Sequence, residues 1–254
     1  IGFVMLTIAY YHMKNNKLFL TAIFLSVFLV ILYLINERSN AIKGTFIIFF
    51  VLFFLNSFNF KKKILGFIVF LSIIASLITF NHEINQRFYN EIKSMGNNLK
   101  SEKTWHNNIK ASILELSPLD YIKYSNYGPH YYAAADIFKT NKWFGIGLKT
   151  FRTQCEFAKV PEDIKSRRCT THPHQVYLEI LSEIGLFGFI LLFSFFTWLI
   201  LRSLKDYFKS NDLILLSACG FICSQILPVL PSGSFFTSFS ATIFWINISL
   251  TYSL

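Results

Sequence analysis

The sequence predicts an all-α, polytopic membrane protein: a transmembrane bundle of about seven helices carrying a large, mostly helical loop domain on its outward face. Three observations predict it. Hydrophobic residues make up 53% of the chain, with 30 Phe, while charged residues make up only 15%, a balance far from that of soluble domains. The apolar residues come in uncharged blocks of 17 to 20 residues, close to the hydrocarbon thickness of a bilayer at the helical rise of about 1.5 Å per residue. Finally, the polar stretch Asn81–Thr171 is too long for a simple connection and carries its own turn chemistry.

The blocks are Leu18–Ile35, Gly44–Phe60, Ile64–Phe80, Ile184–Leu201, Leu213–Leu230 and Phe235–Leu254. Ile1–Tyr11 reads as the tail of a further helix, and the chain as the C-terminal part of a larger protein, without the basic start and cleavage site of a signal peptide. Blocks this uniform call for helices, since barrel strands alternate. The expected organisation is residues 1–80 as transmembrane helices, 81–172 as the outer loop domain and 173–254 as three C-terminal transmembrane helices.

Orientation follows from the short loops. Lys14 and Lys17, the run Lys61-Lys62-Lys63, and Arg202, Lys205 and Lys209 belong on the cytoplasmic side, and this choice alternates consistently through all seven segments. Asn36–Lys43, Asn81–Thr171 and the Pro231-Ser-Gly-Ser turn then face outward. The long stretch holds 14 Lys and Arg against 9 Asp and Glu, but loops of that length translocate largely regardless of charge. Cys155 and Cys169 both fall there, 14 residues apart, and an oxidising compartment permits a bridge between them. Cys219 and Cys223 read as small hydrophobes on one helix face.

Within the outer domain, Ile84, Phe88 and Ile92 suggest a short amphipathic helix, and Ser117-Pro118 and Tyr127-Gly-Pro129 are breakers. His130–Thr140 predicts a helix with Tyr131, Ala134, Ala135 and Phe138 on one face. Asn141-Lys-Trp-Phe-Gly-Ile-Gly147 follows as a loop whose glycines permit unusual backbone geometry; a lone Gly-x-Gly is weak support for phosphate binding. Val160–Arg168 is expected to be solvated.

His172-Pro-His-Gln-Val-Tyr-Leu-Glu-Ile-Leu-Ser-Glu-Ile-Gly-Leu-Phe-Gly188 sets two imidazoles, a Tyr and two carboxylates at the mouth of an apolar span, where ionisable groups are expensive and usually functional. A helix is expected to begin at His174, with Leu178, Leu181 and Gly185 as its buried stripe and Gln175, Glu179 and Glu183 as a polar one. The plain reading is a capped helix entry touching lipid headgroups. A zinc site from Cys169, His172 and His174 lacks a recognised ligand spacing. Arg38, in Asn36-Glu-Arg-Ser-Asn40, is the only arginine in the first 86 residues; it either snorkels to headgroups or grips a phosphate. Arg152 is another outward cation, suited to an ion pair.

These residues resemble the O-antigen ligase and O-antigen polymerase superfamily of bacterial envelope glycosyltransferases. Its histidine motif, His, then Asn, Ser or Gln, nine residues, Gly, two residues, then Gly, Thr or Tyr, is met in full by His174-Gln175, Gly185 and Gly188. Glu37-Arg-Ser-Asn40 is similar to the family's outward arginine, and Trp143-Phe-Gly-Ile-Gly-Leu148 to its pre-motif loop. Gly128-Pro-His130 stands where some members carry Gly-Arg, and an arginine followed by ten residues and Gly is absent, so no second phosphate-binding arginine is assigned.

The resemblance implies a metal-independent, inverting glycan transfer with no cofactor, in the bacterial inner membrane with its site facing the periplasm. The donor would be an undecaprenyl-pyrophosphate-linked glycan, and the acceptor a hydroxyl of the lipid A core, another glycan or a protein. Membrane lipids are the surroundings, and no nucleic acid is expected. On this reading His174 is the general base and Arg38 contacts the pyrophosphate, while His172, Arg152, Glu179 and His130 are candidates for orientation or substrate contact. A lipid-linked glycan transporter is the alternative from another class. It calls for charged or broken helices at mid-membrane, and the assigned spans hold no charge there.

Overall fold

The computed structural model describes residues 27, 30, 31, 38–55, 59–80, 122, 123, 125–228 and 230–253. The block Ile1–Tyr11, the block Leu18–Ile35 apart from residues 27, 30 and 31, the loop lysines 14 and 17, the stretch around Ile84, Phe88 and Ile92, and Ser117-Pro118 lie outside them. The described residues are all-α, with no strand: seven α-helices and two 3-10 turns, Cys155–Phe157 and Glu162–Arg167. In chain order the helices are α1 (Arg38–Phe54), α2 (Phe60–Phe80), α3 (Gly128–Thr140), α4 (Phe151–Gln154), α5 (Val176–Ser210), α6 (Leu213–Gln225) and α7 (Phe239–Ser253). Among them α5 is the one helix long and apolar enough to cross a membrane; α6 and the Ser39–Phe54 segment are shorter apolar helices.

The chain divides into two compact units. The first takes residues 1–86, 194–227 and 243–254, and the second residues 87–193 and 228–242.

In the first unit, α1 packs on both α2 and α6. Ile48, Phe70 and Ile74 are buried at the α1–α2 contact, where Phe49 and Phe67 bring their ring centroids to 4.1 Å. Gly220 lets α6 approach α1 closely, since a Cβ there would stand 3.1 Å from the Phe50 ring. Tyr207, Leu215 and Leu216 close the far end, and the Tyr207 hydroxyl donates to the Phe54 carbonyl at 3.1 Å. Asp212 caps α6 by accepting from Ile214 N at 2.9 Å. The expected outward loop Asn36–Lys43 is helical from Arg38 onward. Lys43 is therefore a buried helical lysine, donating to Gln225 Oε1 at 3.1 Å.

In the second unit, α3 carries a core of Ala133, Ala134 and Ile137 against Phe151, Cys155, Ala158, Val160 and Ile164. The buried face is turned from the one expected, and only Ala134 is common to both. The reason lies in the partner, because the 3-10 turn Glu162–Arg167 docks on α3 and inserts Ile164. The segment Val160–Arg168 is thus anchored rather than solvated, with a Lys123–Asp163 ion pair of 2.8 Å beside it. A disulfide joins Cys155 and Cys169, whose Cα atoms are 5.2 Å apart. Arg168 stitches the same corner, donating from Nε to Cys155 O at 3.0 Å and from Nη1 to Lys165 O at 2.9 Å.

Candidate active site

The helix that carries the histidine motif begins at Val176, not at His174, because Gln175 is its cap. Gln175 Oε1 accepts from Leu178 N at 2.7 Å, and its carbonyl accepts the first helical bond, from Glu179 N, at 2.9 Å. His174, one residue earlier, lies in the left-handed region with φ 60. An L-residue bearing a Cβ pays roughly 1–2 kcal/mol for that conformation, and such strain gathers at functional sites. What holds it is the loop before α7. Ser232 N donates to the His174 carbonyl at 2.8 Å, while the His172 ring meets the Ser232 carbonyl at 3.3 Å.

The polar stripe is a packed face of α5, and of the stripe expected to be buried only Gly185 is fully so. Glu179 is 1% exposed and Glu183 2%, whereas Leu178 and Leu181 are only half-buried. Each carboxylate is satisfied by a loop. Ser234 Oγ donates to Glu179 Oε1 at 2.6 Å and Phe235 N to Oε2 at 2.9 Å; Lys149 N donates to Glu183 Oε2 at 3.0 Å. A buried carboxylate without such donors would be strongly destabilising.

Gly185 breaks α5. Its φ of 71 and ψ of −173 lie in a region essentially restricted to glycine. Two rungs of the helical ladder are opened there, and the 142–147 loop fills both. Leu186 N turns from Ser182 O to Lys142 O at 2.7 Å, and Ser182 O receives Ile146 N at 3.0 Å instead. Phe187 N turns from Glu183 O to Trp143 O at 3.1 Å, and Glu183 O receives Gly147 N at 2.8 Å. All four backbone groups freed at these two rungs are thus paired. The approach is so close that a Cβ on Gly185 would stand 2.5 Å from Phe144 N, and one on Gly145 would stand 2.5 Å from Glu183 O. Gly145 and Gly147 also have positive φ, 67 and 97. The Gly-x-Gly N–H groups are spent on protein carbonyls, so this is a splint rather than a phosphate cradle. Gly188 tightens the next turn, where a Cβ would meet Ile184 Cδ1 at 2.6 Å.

Above the helix start, three half-buried imidazoles and a phenol gather. Ring centroids of His172 and His174 are 4.2 Å apart, those of His130 and His174 5.6 Å, and those of Tyr127 and His174 4.9 Å. In the neutral ring, the Ser232 carbonyl places the His172 proton on Nε2, leaving Nδ1 to accept from Thr171 Oγ1 at 2.9 Å. Thr170 Oγ1 lies 3.5 Å from His174 Nε2. Burial lowers the pKa of both rings, and His172 and His130 press His174 further down, to about 4, against the raising pull of the Ser232 carbonyl. His174 is therefore neutral at pH 7 and open to a proton. Tyr131 is the opposite case: burial, with Tyr127 alongside, pushes its phenol up to about 12.

An O-antigen ligase family model matches residues 20–193, more than two-thirds of the chain. The chain belongs to the O-antigen ligase family. No curated protein and no solved structure gives a match. Membership makes this O-antigen ligase family protein a glycosyltransferase-like enzyme of ligase or polymerase type in the inner membrane, handling lipid-linked glycans and glycan acceptors. Of the residues that sequence singled out, His130, His172 and His174 are brought together in the second unit, with Glu179 buried one turn into the motif helix. Arg38 opens α1 in the first unit. Arg152 is exposed on α4, with no ion pair to a described residue, while Cys169 is held in the disulfide and is not a thiolate ligand. Sequence reasoning missed Ser232, Ser234 and Lys43. In sequence the Pro231-Ser-Gly-Ser run signals only a turn, though its small polar residues suit a segment that lies against another backbone.

Proposed function

We propose that this O-antigen ligase family enzyme transfers a glycan from an undecaprenyl-pyrophosphate carrier to an acceptor hydroxyl at the periplasmic face of the inner membrane, with inversion and without a metal. His174 accepts the acceptor hydroxyl's proton as the oxygen bonds to the anomeric carbon. The bond from that carbon to the diphosphate oxygen breaks, and undecaprenyl pyrophosphate leaves with the electron pair. Arg38 contacts the departing diphosphate, whose growing charge a guanidinium meets without proton transfer. His130 and His172 line the acceptor side, Arg152 offers a further cation to substrate, and Glu179 positions the motif by pinning the 234–235 loop. The chain is polytopic, with the residue ranges 1–80 and 173–254 largely in the membrane and 81–172 outside.

The observation that carries this reading is His174 itself, a neutral imidazole held at φ 60 at the head of an apolar helix and flanked by two more imidazoles. Its low pKa makes it a weak base before substrate binds. A bound diphosphate brings negative charge that raises the pKa as the proton arrives. The Cys155–Cys169 disulfide favours an exported second unit. The acceptor reading taken here is that of a ligase, with polymerisation of lipid-linked chains as the alternative. The test is the full-length protein mixed with a lipid-linked glycan donor and candidate acceptors, with products resolved by mass. His174→Ala abolishes transfer while the protein remains inserted and folded; transfer retained in that variant refutes the assignment.

A further inference from the structure

The 142–147 splint presents side chains that its backbone bonding does not need. At its tip Trp143 is 67% exposed and Phe144 77%, with Leu148 also exposed. The Phe144 ring lies 6.1 Å from that of Phe187, which is likewise exposed. Phe187, Ile190 and Leu191 share one face of α5, and all three are exposed, so the loop tip and the helix present one continuous apolar surface. Lys142 and Lys149, both exposed, flank the tip. In water such a surface would be a liability.

From this geometry we infer that the Trp143-Phe144 tip is a membrane-interface wedge: its aromatic rings sink to the headgroup level of the bilayer beside the start of α5, and Lys142 and Lys149 face anionic lipid phosphates. The occupant is lipid rather than a protein partner for two reasons. The surface continues without interruption into the exposed face of the one described helix fit to cross a bilayer. Its composition, aromatic rings with lysines at either side, is that of an interfacial belt. Because the same loop fills the two open rungs at Gly185, the wedge also fixes the depth at which the helix break sits. This inference rests on α5 crossing the membrane, and not on the assignment of His174 as base.

The test uses the full-length protein in vesicles of phosphatidylcholine and phosphatidylglycerol, some carrying lipids brominated near the headgroup and others lipids brominated deep in the acyl chain. The Trp143 signal is the difference between wild type and Trp143→Phe. Shallow bromines should quench that difference signal at least twofold more than deep ones, and aqueous iodide should barely reach it. A Trp143 signal open to iodide and untouched by either lipid overturns the wedge. Trp198, in α5, is read in the same way from Trp198→Phe: if its signal also escapes both lipids, the membrane reading of α5 fails, and the wedge with it. Lys142→Glu with Lys149→Glu should weaken the shallow quenching only in vesicles containing phosphatidylglycerol, and an equal response in neutral vesicles refutes the role given to the lysines.

Discussion

His174 occupies a conformation that favours glycine and asparagine over any other residue. Its imidazole is the one feature there that neither can replace. His174→Asn should therefore be inactive in glycan transfer yet at least as stable as wild type, gaining up to about 1 kcal/mol in thermal or denaturant unfolding, whereas the β-branched His174→Val should lose stability. The depressed pKa values make a second, signed prediction. His172 and His174 bind protons less readily folded than unfolded. As pH falls from about 6.5 towards 4, the unfolded chain takes up protons that the folded site refuses, and stability drops across that window. The kcat/KM profile should likewise hold its acid limb near pH 4, since it reports the free enzyme. His130→Gln removes one neighbouring imidazole and should move that limb upward, while a limb already near 6.5 in wild type would count against His174 as the titrating base.

At the scale of elements, the break in α5 is the joint on which the site is built. Gly185→Ala forces a Cβ towards Phe144 N and the Trp143 carbonyl in a conformation closed to alanine. It should cost several kcal/mol by thermal unfolding and remove transfer with it. This joint also measures how far sequence reading reached. The spacing from His174 to Gly185 and Gly188 was plain in the chain, as were the pre-motif loop and the pairing-competent cysteines. What was hidden is how they connect. A glycine at helical spacing reads as one more buried position on a stripe, and nothing local reveals that residues 142–147 exchange backbone bonds with residues 182–187. The same holds for the carboxylates. Amphipathic periodicity puts Glu179 and Glu183 towards water, and only the donors on distant loops, Ser234, Phe235 and Lys149, make the inside affordable. Lys43 escaped for a similar reason, since its partner Gln225 lies 182 residues away.

For the molecule as a whole, hydropathy and loop charge gave an orientation that labelling can test. In a background with Cys219 and Cys223 replaced by Ala, a membrane-impermeant maleimide applied to intact cells should label Asn141→Cys and leave Lys62→Cys untouched until the cells are lysed; the reverse pattern would invert the topology. Both positions are exposed, so labelling there reports sidedness rather than burial. The same logic explains what composition alone could deliver. Blocks of apolar sequence are long-range and redundant, and so are legible. Which residues serve a reaction depends on packing that no single segment encodes.

The gap at Gly185 has a bearing on biogenesis. A rod with two rungs missing is poorly suited to entering lipid alone, because its bare carbonyls and amides would face hydrocarbon. The piece that completes it is synthesised first, some 40 residues upstream on the ribosome's clock. On the topology proposed above, export and folding of the 142–147 segment would precede or accompany the arrival of the helix, so that the two would enter their final environment as a joined pair rather than as independent parts.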